Sequence, residues 1–269
     1  MAAETTATCK YWRMRLVDLS EPWSVETEPY PGHPRPSLSS LQNIVQHRIE
    51  TYILDTTLHT GTHIDAPKHM SATGKDVGSL TLDDLHGPAV IVDISDQIEP
   101  LTPITVDMVQ NGLKKMGEEF RDRDILILYT GWQEHHGARG TDPDRESYFL
   151  LHPGPTNELV DWALERNPRW VALDGPSFEH PLNIYLRKLR PDVVEKWERD
   201  NDWSADGLFP ADKWFYAHRA CGDANVPHVD GLGGDVATIK GCRVDVGCFP
   251  WRFMGGEAAF ARIVAFVRD

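Results

Sequence analysis

A chain of 269 residues with 41% hydrophobic and 25% charged side chains has the composition of an ordinary folded protein, not a disordered or fibrous one. That length can bury a substantial core, as one large domain or two small ones. The formal net charge of -14 opposes a duplex DNA or RNA partner, which needs many Lys and Arg contacts to phosphates; no nucleic acid is expected, and the acidity reads as a solvated surface.

No apolar run reaches the roughly 18 residues expected of a membrane span, and the first ten residues lack a basic segment followed by an apolar one. The expectation is a cytoplasmic protein with no membrane contact. Cys9, Cys221, Cys242 and Cys248 form neither a close CxxC pair nor a dense secreted framework, so free thiols are expected.

In chain order, a short strand is predicted near Arg15 to Leu19, followed by a Pro-, Ser- and Glu-rich irregular arm from Glu21 to Pro36. Such an arm can wall a pocket, although Trp23 and Tyr30 read first as packing residues. β-Branched and apolar residues from Ile49 to Leu58 predict a strand leading into a His-rich segment. Ala89 to Ile94, Ile125 to Tyr129, Trp170 to Leu173 and Ile263 to Val267 are apolar runs of strand length, expected to be buried. Thr105 to Glu119 has helical spacing behind a Thr105 cap, with Gly112 as a weak point. Thr156 to Asn167 repeats Leu159, Trp162, Ala163 and Arg166 at helical spacing, with Glu158 near the positive end. A charged helix follows Pro191, and Asp202 to Asp212 reads as a loop. Strands alternating with helices give an α/β or mixed β-α architecture without repeats or a domain linker.

The chemistry concentrates in His59-Thr60-Gly61-Thr62-His63-Ile64-Asp65-Ala66-Pro67-Lys68-His69. Imidazole and carboxylate donors suit zinc, and also manganese or iron. The two-residue spacing of His63 and Asp65 puts both on one face of an extended chain, and the Thr-Gly-Thr turn can return His59 to that face. Pro67 biases Ala66 toward an extended conformation, which can hold Asp65 and His69 in fixed relation. Thr60 and Thr62 can add supporting hydrogen bonds.

A second group combines His218 or His228 with Asp230; it could complete a second metal site, or belong to a polar Gly-rich loop. His135 and His136 read as surface or pocket-rim residues. Asp174 at a strand exit either caps a turn or orients a ligand, and Ser177 beside it is a pocket candidate. Trp132, Phe149, Trp203 and Trp251 can wall an aromatic pocket or pack in a core. Gly231-Leu232-Gly233-Gly234 lacks a nucleotide fingerprint, and no Gly-x-Ser-x-Gly elbow supports a serine nucleophile.

The first motif, with Tyr129-Thr-Gly-Trp132, His152-Pro-Gly154, Leu173-Asp-Gly-Pro-Ser177 and Gly-Gly-Glu257, resembles the metal-dependent cyclase-like hydrolase family that includes bacterial kynurenine formamidases and isatin hydrolases. The resemblance spans about Asp18 to the end. It implies a swivelling β/β/α fold of the α/β class, one domain over residues 1–269 with mixed sheets and flanking helices, residues 1–45 being partly an irregular arm. It implies a homo-oligomer, dimer or tetramer. His59, His63 and Asp65 become implied metal ligands, with His69 the implied acid-base residue. His218 and Asp230 match a later His-Glu pair, with Asp in place of Glu and a side chain shorter by one methylene. One or two ions, Zn or Mn, are implied. Glu179 stands where many relatives carry Asp. The implied activity is hydrolysis of a small amide, formamide or cyclic lactam carbonyl, aromatic in character, with pocket positions at Trp132, Ser177 and Trp251. A lactone hydrolase, a cyclase or dehydratase, and a noncatalytic metal-dependent binding protein are the alternatives.

Overall fold

The structure is a computed structural model that describes residues 14–136 and 145–268. Its strands are β1 (Met14–Asp18), β2 (Ser37–Gln42), β3 (Thr51–Asp55), β4 (His63–Asp65), β5 (His86–Asp93), β6 (Pro103–Ile104), β7 (Ile125–Tyr129), β8 (Gly154–Pro155), β9 (Val171–Leu173), β10 (His228–Asp230), β11 (Arg243–Pro250) and β12 (Ala258–Arg268). Eight of them form a sheet in the order β1-β12-β11-β5-β7-β9-β10-β4, and β12 also pairs with β4, closing the sheet into a barrel. The long β12 makes this closure possible: Ala258 to Phe260 pair with β4, and Val264 to Arg268 pair with β1. β5, β7, β9 and β10 run parallel, while β4, β11 and β12 pair antiparallel with their neighbours.

Strand alternation divides the apolar residues between two cores. Ile91, Ile125, Ile127 and Ala172 join Ile64, Val229 and Ile263 in one cluster. Val90, Val92, Leu126, Leu128 and Leu173 join the other, against Val109, Leu113, Leu159, Val160, Ala163 and Ala217 from flanking helices. Burial on both faces is why these parallel strands read as unbroken apolar runs. The expected α/β architecture with mixed sheets and flanking helices is the one observed.

The helices start where their caps specify. Thr105 accepts from Met108 N at the head of Val106–Met116, and Thr156 accepts from Leu159 N at the head of Asn157–Leu164. Pro191 opens Pro191–Asn201, where its missing N–H costs nothing. Gly112 is required for close approach: a Cβ there would lie 2.4 Å from Cγ1 of Val92.

Ile49 to Leu58 contains the expected strand, β3, which pairs only with β2 in a separate, largely exposed hairpin. Its apolar Tyr52, Ile53 and Leu54 are consecutive, so both faces of the hairpin carry apolar side chains and neither is covered by the barrel. Asp202 to Asp212 is not all loop, because Ser204 Oγ accepts from Gly207 N and starts the short helix Ala205–Leu208. Cys221, Cys242 and Cys248 are free, while Cys9 lies outside the described residues. Among the described residues no helix is long and apolar enough to cross a membrane.

Gly112→Ala should destabilise the protein: about 1 kcal/mol of helix propensity is gained, but overpacking against the stiff Val92 side chain costs about 1–3 kcal/mol. A lower urea midpoint with an unchanged slope is the expected result.

Candidate metal centre and active-site cavity

β4 and β10 build the centre through their register. Ile64 and Val229 face each other and enter the barrel-side core, so His63 and Asp65 on one strand and His228 and Asp230 on the other turn to the opposite face. His228 stands opposite Asp65, and Asp230 opposite His63. Gly61, at φ +72°, turns the preceding chain back so that His59 joins the same group. Trp23 packs over this turn and donates from Nε1 to Thr60 O at 3.1 Å. Ala66 is extended ahead of Pro67, as expected, and leads into the turn carrying His69.

His59 Nδ1, His63 Nε2 and Asp65 Oδ1 lie 3.0 to 3.2 Å from one another. Donors about 2.0–2.1 Å from one zinc ion at tetrahedral angles would be about 3.3 Å apart, so the triangle fits one cation. Supporting hydrogen bonds hold the rings in that orientation, with His63 Nδ1 donating to Gly61 O at 2.8 Å and His59 Nε2 reaching Glu257 Oε2 at 2.8 Å. The same Glu257 oxygen lies 3.0 Å from His69 Nδ1, leaving His69 Nε2 on the side of Asp65 Oδ2, 3.7 Å away.

Deeper in the floor, Asp65, His218, His228 and Asp230 each bring a donor atom within 4.8 Å of the others. Helix Tyr216–Asp223 supplies His218, whose Nε2 lies 3.7 Å from Asp230 Oδ2 and whose Nδ1 lies 3.2 Å from Glu179 Oε2. Asp230 Oδ1 accepts from Phe178 N at 2.7 Å. Asp65 is common to this group and to the triangle above, and His69 also brings a donor atom within 4.8 Å of His59 and Asp65.

The balance of charge favours a cation. Burial opposes protonation of His59 and His218, yet neighbouring carboxylates raise them to about 11 and about 10, through Asp65 and Glu257 in one case and Asp230 and Glu179 in the other. Burial would raise Asp65, but the surrounding imidazoles hold it well below the usual carboxylate range. Glu257 is likewise lowered to about 2 against its partial burial by His59 and His69. Asp65 Oδ1 is buried with only the ion-pair contacts of His59 and His63, and buried His228 Nε2 has only an ion-pair contact to Asp65 Oδ2, an arrangement that a bound cation satisfies. Nitrogen and carboxylate donors fit zinc or manganese.

The centre opens into a cavity of about 710 Å³ walled by Tyr30, Tyr148, Phe149, Tyr185, Trp214 and Phe215. Ser177 and Phe149 line it, and His136 stands at its edge. Trp132 does not: it is buried behind the wall, donating from Nε1 to Tyr148 O at 3.0 Å. Trp251, just past the end of β11, is 61% exposed and borders a separate groove with Trp23, Phe249 and Phe260. Trp203 packs on Trp197 instead. Tyr30 is a cavity residue where a packing role was the first reading, since the Pro29–Thr60 bridge lays the arm across the site. Asp174 caps: its carboxylate accepts from Thr130 N, Thr130 Oγ1 and Gly131 N, although burial pushes it up to about 7. Glu257 stands in the sequence only as part of the Gly-Gly-Glu257 motif and Glu179 only as a departure from Asp; their contacts with His59, His69 and His218 join distant segments and have no local sequence signal.

The family described as "Putative cyclase" matches residues 17–180, and the chain belongs to it. A kynurenine formamidase of Salinibacter ruber is 32% identical over 256 residues, covering 93% of this chain and 97% of that protein. A kynurenine formamidase of Bacillus cereus is 35% identical over 170 residues, covering 62% of this chain and 71% of that one. Isatin hydrolase A from Ralstonia solanacearum shares the fold at a TM-score of 0.73 and 21% identity, covering 95% of this chain and 92% of that chain. An isatin hydrolase bound to the product analogue thioisatinate aligns at 0.74 and 16% identity, covering 95% and 93%.

Asp65→Ala removes the donor common to both groups and should lower the metal content of the purified protein, measured by elemental analysis. Unchanged stoichiometry would remove Asp65 from the ligand set.

Proposed function

We propose that this chain is a divalent-metal-dependent hydrolase of a small amide, formamide or cyclic lactam with an aromatic body. The observation that carries the reading is the His59, His63 and Asp65 donor triangle at the floor of an aromatic-walled cavity. Kinship with kynurenine formamidases supports the C–N bond as the one cleaved. His59, His63 and Asp65 would hold one Zn or Mn ion, and His218 with Asp230 would hold a second against Asp65. When bound, the cation supplies Lewis acidity toward a carbonyl and makes water a stronger acid.

The chain's own groups supply the rest. His69 is the proton carrier: Glu257 anchors Nδ1, fixing the ring so that Nε2 can take a proton from attacking water and return it to the leaving nitrogen. Glu257 also anchors His59, so a single carboxylate aligns a ligand with the acid-base residue. Tyr30, Tyr148 and Phe149 present ring faces and edges to an aromatic substrate and exclude water from the carbonyl. Ser177, buried at the cavity wall, offers a hydroxyl for orienting polar substrate atoms.

The functional unit is a homo-oligomer with the β2–β3 hairpin at its interface. A lone two-stranded hairpin is marginal in water, yet this one exposes Leu38, Leu54 and Tyr52 on one face, Ile53 on the other and Leu41 at the register shift between Ser40 and Gln42. A second copy covering those faces accounts for them without another protein.

His69→Ala should keep its metal and lose about 10²–10⁴-fold in kcat on aryl formamides and lactams. Near-wild-type turnover with metal retained would exclude the assigned role. Leu38→Asp combined with Leu54→Asp should shift the assembly toward smaller species in analytical ultracentrifugation, and an unchanged mass would count against the hairpin interface.

A further inference from the structure

The four inner donors differ in how they meet the cavity. Asp65, His218 and Asp230 line it, whereas His228 does not and approaches from beneath. We propose that His228 is the fourth protein ligand of the inner cation position, closing it so that its ion leaves slowly while the outer position, at His59, His63 and Asp65, exchanges readily with solvent. This deepens the functional reading, resting on it for the outer position as the one that meets substrate.

Several independent features support a ligand role for His228. It is 3% exposed, and its Nε2 has only the carboxylate of Asp65 for a polar neighbour, Oδ2 lying 3.3 Å away in a poorly aligned contact. A buried imidazole nitrogen left in that state costs free energy unless something else takes its lone pair. The antiparallel register sets His228 directly opposite Asp65, with Asp230 two residues along the same face. From the facing helix His218 completes the group, its ring centroid 4.3 Å from that of His228. Glu179 holds His218 from behind through both Nδ1 and the backbone N–H.

Coordination number separates the two positions. Four protein donors complete a tetrahedral shell, the pattern of a closed structural site, whereas three leave a position open for water or substrate. The inner four residues are each 5% exposed or less; at the outer position His63 and Asp65 are as buried, and only the His59 side chain, 15% exposed, opens toward the cavity. An inner ion must therefore break bonds to four buried donors before it can leave. Asp230 also needs no long reach, because a second ligand comes from its own strand.

The test uses the full chain loaded with Zn2+ and challenged with excess dipicolinate, with retained metal followed over time by elemental analysis and no substrate present. Wild type should lose zinc in two phases of one equivalent each. His59→Ala should lack the fast phase and keep the slow one. His228→Ala should lose its inner zinc faster by about 10–100-fold or more, the range typical even of groups that merely support a ligand. A single phase in wild type, or an unchanged slow phase in His228→Ala, overturns the proposal. Should the variant not fold by circular dichroism, wild type labelled with 113Cd and 15N-histidine decides: the slowly exchanging cadmium should couple to two imidazole nitrogens, and coupling to one overturns it. Because turnover is not read, failure here leaves the hydrolase reading standing, and inactivity of a protein with two clear phases fails only that reading.

Discussion

The pairing of β4 with β10 is the constraint on which the centre depends. Two tripeptides, His63-Ile64-Asp65 and His228-Val229-Asp230, lie antiparallel with their apolar middles opposed. Burial of Ile64 and Val229 in the core is what forces four metal-capable side chains to the other face. A slip of one residue would drive those charged groups into the core and expel the two apolar ones, so the hydrophobic pattern and the donor pattern enforce the same register. The barrel closure through β12 adds a second hold on β4, pairing Ala259 with Ile64.

Around this floor the protein gathers more negative charge than buried groups tolerate alone. Asp65, Asp230, Glu179 and Glu257 stand against His59, His63, His69 and His218. In the ion-free chain the raised imidazoles of His59 and His218 supply part of the balance, and a divalent cation takes over that role when it binds. The carboxylates at the periphery also set geometry: Glu257 fixes His59 and His69, and Glu179 fixes His218. The hydrogen bonds that orient the metal-capable rings therefore also orient His69.

The cavity joins segments with different physical origins. The floor comes from barrel strands, whose positions are set by backbone pairing, while Tyr30 comes from an irregular arm tied down by the Pro29–Thr60 bridge, the Trp23 indole hydrogen bond and the Glu21 N–H bond to Thr62 Oγ1, among other contacts. Trp132 contributes from behind by packing with Tyr148 and Phe149, so the wall has its own small core.

Much was legible in the sequence where chemistry and local spacing coincide. His59, His63, Asp65 and His69 lie within one short motif, so alternation, one glycine turn and one proline suffice to predict their convergence, and the apolar runs of β5, β7 and β9 declare strands buried on both faces. The caps Thr105 and Thr156 were readable for the same local reason. Contacts between remote segments were not: Glu257 meets His59 across 198 residues, and Glu179 meets His218 across 39. Nor could composition separate Trp132 and Trp251 from Tyr30 as walls, since an aromatic side chain carries no mark of the surface it will face. Residue chemistry and short-range periodicity thus determined the candidate donor set and the layers of the fold, whereas the closing of β12 onto β4 and the β4–β10 register decided which distant carboxylates and imidazoles met, because only tertiary pairing brings their atoms into bonding range.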